Sequence, residues 1–225
     1  MTLFDNTFGA LLQSFFLKRN YELVNYNEPE RKEINAIINK IRKETELAML
    51  NTAAQELFIA TKATSKVEGD IAEVGVYKGG SAKVICMAKG DRKLHLFDTF
   101  KGLPKPGKYD SPELSREGQF YSDLVNVKRY LSEFPNVQYY EGMFPGTAGP
   151  VEKTRFSFVH LDVDLYESTV DCLKFFYPRM NQGGVIISHD YGFLSGINKA
   201  YEEFFMDKPE IVLGLPGYQC LVVKQ

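Results

Sequence analysis

Cysteine is scarce in this 225-residue chain: Cys86, Cys172 and Cys220 are odd in number, far apart and in no CxxC arrangement. That argues against a disulfide framework and a zinc site, and points to a reducing cytoplasm. Net charge is scarce too. Lys plus Arg number 27 and Asp plus Glu 29, a formal balance of -2, so no global basic field is available to hold a phosphate backbone and nucleic acid is excluded as the expected partner. Long apolar runs are missing. The stretch Phe8 to Leu17 is broken by Gln13 and Ser14 and preceded by Asp5, and it is too short to cross a bilayer and lacks a basic flank, so it is read as neither a membrane helix nor a signal peptide. There is no internal repeat, low-complexity tract or long linker. What remains is an ordinary globular composition, 44% hydrophobic and 25% charged, of a length that suits one catalytic-sized domain with an appendage.

The periodicities divide the chain into zones. From Met1 to about Lys66 the spacing is helical: Ile34, Ile37, Ile38 and Ile41 share one face, and Leu47, Leu50, Ala54, Leu57 and Phe58 another. This predicts a helical N-terminal extension or lid over 1–66, with a main domain over 67–225. From Asp70 to about Asp190, β-rich runs at 70–74, 93–97, 137–140, 156–161 and 184–188 alternate with helical stretches, as in βαβ units with a parallel sheet. Between the second and third runs, the Gly-, Pro- and charge-rich segment 101–119 is expected to be a mobile active-site loop. A helix near 196–206 and two short runs, 210–214 and 218–224, complete the chain and predict a closing antiparallel hairpin.

Glu73-Val-Gly-Val-Tyr-Lys-Gly-Gly-Ser81 reads as strand, glycine turn and helix start. Gly75, Gly79 and Gly80 permit close ligand approach, Ser81 is a candidate helix cap, and exposed amides at the helix start suit a carboxylate. The turn is not a GxGxxG dinucleotide fingerprint, because Tyr77 occupies the second glycine position and Glu73 precedes the first. An acid there repels a pyrophosphate and suits a cationic amino acid portion. Asp98 ends the next run, where a carboxylate can accept from ribose hydroxyls. The turn and Asp98 together indicate a nucleoside-bearing cofactor.

Asp162 and Asp164 follow the run 156–161, and His189 and Asp190 follow the run 184–188. Two neighbouring strand ends would then bring carboxylates to one cleft, a set suited to a cation or to general-base work. Asp164 is read as a cap for a helix beginning near Ser168 in preference to a catalytic group. His160 and His95 lie within apolar runs and are read as structural. Tyr166 and Tyr191 follow the acidic blocks and are open to a pocket or a packing role.

Four blocks in this order, Glu73 to Ser81, Asp98-Thr-Phe-Lys-Gly-Leu-Pro104, Leu161-Asp-Val-Asp-Leu-Tyr-Glu-Ser-Thr169 and Gly183-Gly-Val-Ile-Ile-Ser-His-Asp-Tyr-Gly192, resemble the TylF/MycF-type methyltransferases, named for macrocin O-methyltransferase. The resemblance runs from about Gly69 to the C-terminus. It implies a Rossmann-like class I methyltransferase fold and transfer of a methyl group from S-adenosylmethionine to a sugar or phenol hydroxyl of a natural product. It implies cofactor contacts from Glu73, Gly75, Tyr77, Gly79, Ser81 and Asp98, with Thr99 and Phe100 beside the nucleoside. It further implies a divalent metal, usually magnesium, at Asp162, His189 and Asp190. His189 departs from the pattern, since the family usually has an Asp there; magnesium prefers oxygen ligands, whereas manganese, iron and zinc accept nitrogen. Asp162 and His189 are the candidate catalytic groups, as base or as ligands. The expected partner is a small hydroxylated acceptor, and the apolar helices before Asp70 make a homodimer an expectation as well. The alternatives are an α/β enzyme using another nucleotide and a non-catalytic cofactor-binding protein.

Overall fold

The computed structural model describes residues 7–19 and 28–225; the parts of the expected extension at 1–6 and 20–27 lie outside the described residues. Three helices come first: α1 (Thr7–Leu17), α2 (Pro29–Glu44) and α3 (Asn51–Ala63). Strands and helices then alternate as β1 (Asp70–Val74), α4 (Gly80–Ala88), β2 (Leu94–Asp98), α5 (Leu124–Tyr130), β3 (Val137–Glu141), β4 (Phe156–Leu161), α6 (Tyr166–Phe176), β5 (Met180–His189) and α7 (Ser195–Phe205), ending in β6 (Leu213–Leu215) and β7 (Gln219–Val223). Among the described residues no helix is long and apolar enough to cross a membrane, and the three cysteines are free and buried.

Seven strands of the described residues form one sheet in the order β3-β2-β1-β4-β5-β7-β6. The first five are parallel, and β7 pairs antiparallel with both β5 and β6. Helix-connected parallel strands bury both faces, which explains why every residue of β4 (FSFVHL), Ser157 and His160 included, is buried rather than every second one. The order reverses at β1 and β4, and ligand crevices in open α/β sheets form outside the strand carboxyl ends at that point. The expected parallel runs and terminal hairpin are all found, with bounds shifted by at most one residue except at β5, which begins four residues earlier, and β6, which begins three residues later.

Two cores flank the sheet. One contains Ile71, Leu94, Leu96, Phe158 and Ile187 from the strands with Ile34, Ile38 and Ile41 of α2, Leu57 and Phe58 of α3 and Ile85 of α4. The other packs Ala72, Phe97, Val159 and Ile186 against Cys172 and Phe176 of α6 and Tyr201 of α7. The 3.6-residue apolar stripes of α2 and α3 thus supply one layer of the fold.

The C-terminal strand is clipped in place by a buried carboxylate. Glu210 accepts hydrogen bonds from Lys224 Nζ at 2.5 Å and Tyr177 Oη at 2.8 Å. Burial by itself would raise the Glu210 pKa, but the Lys224 and Tyr177 bonds outweigh it and hold the carboxyl at about 2, below its ordinary 4.5. Because the folded value is depressed, the stabilisation is complete above pH 4.5 and is lost as pH falls toward 2. Glu210→Gln is expected to lower the Tm at neutral pH, with the gap to wild type closing between pH 4.5 and 2 in thermal melts. A gap that stays constant over that window would assign the loss to packing instead of charge.

Candidate functional site

At the carboxyl end of β1 the chain makes its closest backbone approach. Gly75 has φ +88°, and a Cβ there would stand 1.8 Å from the carbonyl oxygen of Asp162. Gly75 N donates to Phe97 O and Asp162 N to Val74 O, both at 2.9 Å, so the ends of β2, β1 and β4 are laced together. Just beyond these strands and β5, four non-glycine residues, Tyr77, Phe100, Asp164 and Asp190, take left-handed φ values of 50° to 62°. Such conformations are sparsely populated for side-chain-bearing residues and concentrate at functional sites.

Asp98 braces the glycine turn. One carboxylate oxygen accepts from Val76 N at 2.7 Å and Tyr77 N at 2.8 Å, and the other accepts from Phe100 N at 2.7 Å. The α4 helix is capped by Gly79 in the left-handed conformation without a side-chain bond, so Ser81 is not the cap anticipated from sequence; it sits buried in the first turn. Glu73 is fully buried and pairs with the equally buried His160, Nδ1 to Oε1 at 2.9 Å. Burial raises the Glu73 pKa, and His160 pulls it back. His95 is likewise held between Asp70 and Tyr140.

A cleft of about 390 Å³ opens along this edge. Of the residues expected to hold a cofactor, Gly75, Tyr77, Asp98 and Thr99 line it, and Glu73, Gly79, Ser81 and Phe100 do not. Its other end holds the residues expected as metal ligands and catalytic groups. Asp162, His189 and Asp190 each offer an atom within 4.8 Å of the others, with His189 Nδ1 3.4 Å from Asp162 Oδ1 and 3.3 Å from Asp190 Oδ1. Asp164 joins them in the lining. It caps no helix: α6 starts at Tyr166 with no cap bond from its own flank.

The cluster carries more negative charge than its single imidazole can offset. Burial opposes the charged form of His189, yet Asp162 and Asp190 raise its pKa to about 11. Burial would raise Asp162, but attraction to His189 turns the shift downward. Burial together with repulsion from Asp162 and Asp190 drives the Asp164 carboxyl well above its usual range. A group of half-buried carboxylates in which one is pushed toward the neutral form is short of positive charge, and two carboxylate oxygens plus an imidazole nitrogen are a fitting donor set for a divalent cation.

Several lining residues were not singled out from sequence. Ala48 comes from the α2–α3 connection and Met143 and Phe144 from the turn after β3, positions without a chemical signature that only the fold brings together. Gln219, on the strand beside His189, lies off the cleft lining. It pairs with His189 across β5 and β7, is fully buried, and has no partner for either amide atom among the described residues.

This edge geometry on this strand order is the class I O-methyltransferase fold. The chain is similar to the solved structure of the O-methyltransferase NovP, with a TM-score of 0.69 and 22% identity over 85% of this chain and 88% of that one. Similarity to the calicheamicin methyltransferase CalS11 gives a TM-score of 0.65 and 19% identity over 88% and 94%. The chain belongs to the macrocin-O-methyltransferase (TylF) family, which matches residues 48–211. Curated relatives include an 8-demethyl-8-(2,3-dimethoxy-alpha-L-rhamnosyl)-tetracenomycin-C 4'-O-methyltransferase of Streptomyces olivaceus, 32% identical over 59% of this chain and 57% of that protein. A mycinamicin III 3''-O-methyltransferase of Micromonospora griseorubida is 30% identical over 56% of each. The chain thus matches a little over half the length of these relatives.

Asp98→Ala strands three backbone N–H groups at the turn. It is expected to lower unfolding stability by about 1–3 kcal/mol in urea titrations. An unchanged midpoint would show that water replaces the carboxylate without loss.

Proposed function

We propose that this protein is an S-adenosylmethionine-dependent O-methyltransferase acting on a hydroxyl of a small molecule, a sugar or phenol of a natural product. The observation that carries the reading is that a glycine turn braced by Asp98 and an Asp162–His189–Asp190 cluster open into one cleft. The glycine cradle at Gly75 admits a ligand against backbone where a Cβ would block it. Asp98 and Thr99 lie where a ribose would be held, Oδ1 of Asp98 retaining acceptor capacity beyond its single bond from Phe100 N. The curated relatives carry names of sugar O-methyltransferases, which supports the substrate class.

Methyl transfer from a sulfonium to oxygen requires in-line alignment and removal of the hydroxyl proton. In this reading the cleft aligns donor and acceptor, the surrounding carboxylates favour the cationic sulfonium, and Asp162, whose carboxyl is held in the charged form by His189, takes the proton. Asp162, His189 and Asp190 would hold a divalent metal, which when bound lowers the pKa of an acceptor hydroxyl. The nitrogen donor at His189 favours manganese, iron or zinc over magnesium. The helices α1, α2 and α3 form an extension that precedes a cofactor-binding domain at 67–225, and Ala48 between α2 and α3 contributes to the cleft wall. The buried free cysteines suit a cytoplasmic protein. Exposed Leu11, Phe15 and Leu17 on α1 support a homodimer, which loss of mass after truncation of residues 1–21 would test.

S-adenosylhomocysteine is expected to raise the Tm and NAD to leave it unchanged; the reverse would overturn the reading in favour of another nucleotide enzyme. Asp162→Asn is expected to abolish methyl transfer while S-adenosylhomocysteine still binds within a few-fold of wild type. Retained activity would remove Asp162 from the chemistry. His189→Asp, which restores an all-oxygen set, is expected to shift calorimetric metal preference from manganese toward magnesium. Identical preferences would show that His189 is not a ligand.

A further inference from the structure

The segment 101–119 is folded over the cleft and held at its far end by Tyr109 and Asp110. Its base is closed by paired bonds, Leu103 N to Gln119 O at 2.8 Å and Gly118 N to Leu103 O at 2.9 Å, and Leu103, Pro104, Leu114 and Ser115 line the cleft. At its far end Asp110 turns back on itself, Oδ2 accepting from Gly107 N at 2.7 Å, and reaches out of the segment, Oδ1 accepting from Tyr166 N at 2.8 Å. Tyr166 is the first residue of α6, whose own flank supplies no cap. The segment therefore provides the carboxylate that the helix start favours both as a hydrogen-bond acceptor and as a negative charge.

A second helix meets the same carboxylate. Gly196, in the first turn of α7, is buried, and a Cβ there would stand 2.4 Å from Asp110 Oδ1 and 3.3 Å from Tyr109 O. Tyr109 packs edge-on to Tyr166 with ring centroids 4.6 Å apart, lies 4.6 Å beneath Lys199 Nζ, and accepts at its carbonyl from Ser195 Oγ at 3.4 Å. The turns leading into α6 and α7 are those that carry Asp162, Asp164 and Asp190.

We propose that Asp110 is a positioning residue: it latches the 101–119 lid onto the starts of α6 and α7, so that covering the cleft and fixing the two acidic turns beneath it are a single event. Gly196 is the matching half of the latch, present because only a hydrogen leaves room for the carboxylate. The latch stands on contacts independent of the reaction; its consequence for ligand retention rests on the methyltransferase reading above.

The lid carries its own reporters, since Lys101, Lys108 and Arg116 are exposed trypsin sites and cleavage tracks the population of the open form. Asp110→Ala is expected to speed cleavage within 101–119 by about tenfold, the range set by loss of one charged cap. Asp110→Asn, which keeps an acceptor for Tyr166 N, is expected to recover part of the protection. Gly196→Ala is expected to open the lid comparably while leaving the Tm unchanged or higher, because alanine is the better helix former. The double variant should be no faster than either alone, since both remove one contact. S-adenosylhomocysteine should protect the lid of the wild type and not that of Asp110→Ala. Wild-type cleavage rates in Asp110→Ala or Gly196→Ala, or additive rates in the double variant, would overturn the latch. Failure of S-adenosylhomocysteine to bind the wild type would overturn the methyltransferase reading and leave the cleavage result to decide the latch by itself.

Discussion

The site depends on an absence, the missing side chain at Gly75. Only a hydrogen separates that residue from the carbonyl of Asp162, and the close approach lets β1 and β4 end side by side at the point where strand order reverses. With the strand ends laced, the peptide N–H groups of Val76 and Tyr77 face the end of β2, where Asp98 accepts both. The same contact places the acids after β4 at the other side of the cleft wall. The glycine turn and the acidic cluster are thus the two halves of one backbone constraint.

Electrostatics gives that geometry its chemistry. Three carboxylates with a single imidazole would repel one another in a half-buried cleft unless something positive were present. His189 supplies part of it, which is why its pKa is raised and that of Asp162 lowered, while Asp164 is left uncompensated and pushed upward. A sulfonium or a divalent ion is the kind of ligand such a site is short of. His160 and Glu73, one step below on β4 and β1, are hydrogen-bonded to each other inside the core and lie off the cleft lining. Burying such a pair is costly unless its geometry is good, and the pair sits directly beneath the turn.

Much of the site was legible because its parts end strands. Asp98, Asp162 and Asp190 follow apolar runs, and a strand-ending acid in a parallel sheet has only one edge to occupy. Glycines betray the turn because they alone tolerate its close contacts. What resisted reading were residues whose role comes from a neighbour distant in sequence. Asp164 looked like a local cap, but the cap of α6 comes from Asp110, 56 positions away. Ser81 looked like the cap of α4, a task Gly79 performs through its backbone alone. Ala48 and Phe144 have nothing in their identity to mark them.

The sequence by itself determined the alternation of strands and helices, the terminal antiparallel pair and the acids at the strand ends, because hydrophobic period and turn chemistry are local properties. It also carried the family resemblance, through four short blocks in order. Only the tertiary structure decided which carboxylates meet, which of them is pushed toward its neutral form, which of the expected cofactor residues line the cleft and which side chain pins the lid. Those outcomes depend on distances between segments that the chain keeps far apart, and they exist only once β1, β4 and β5 lie side by side with the 101–119 segment folded across their ends.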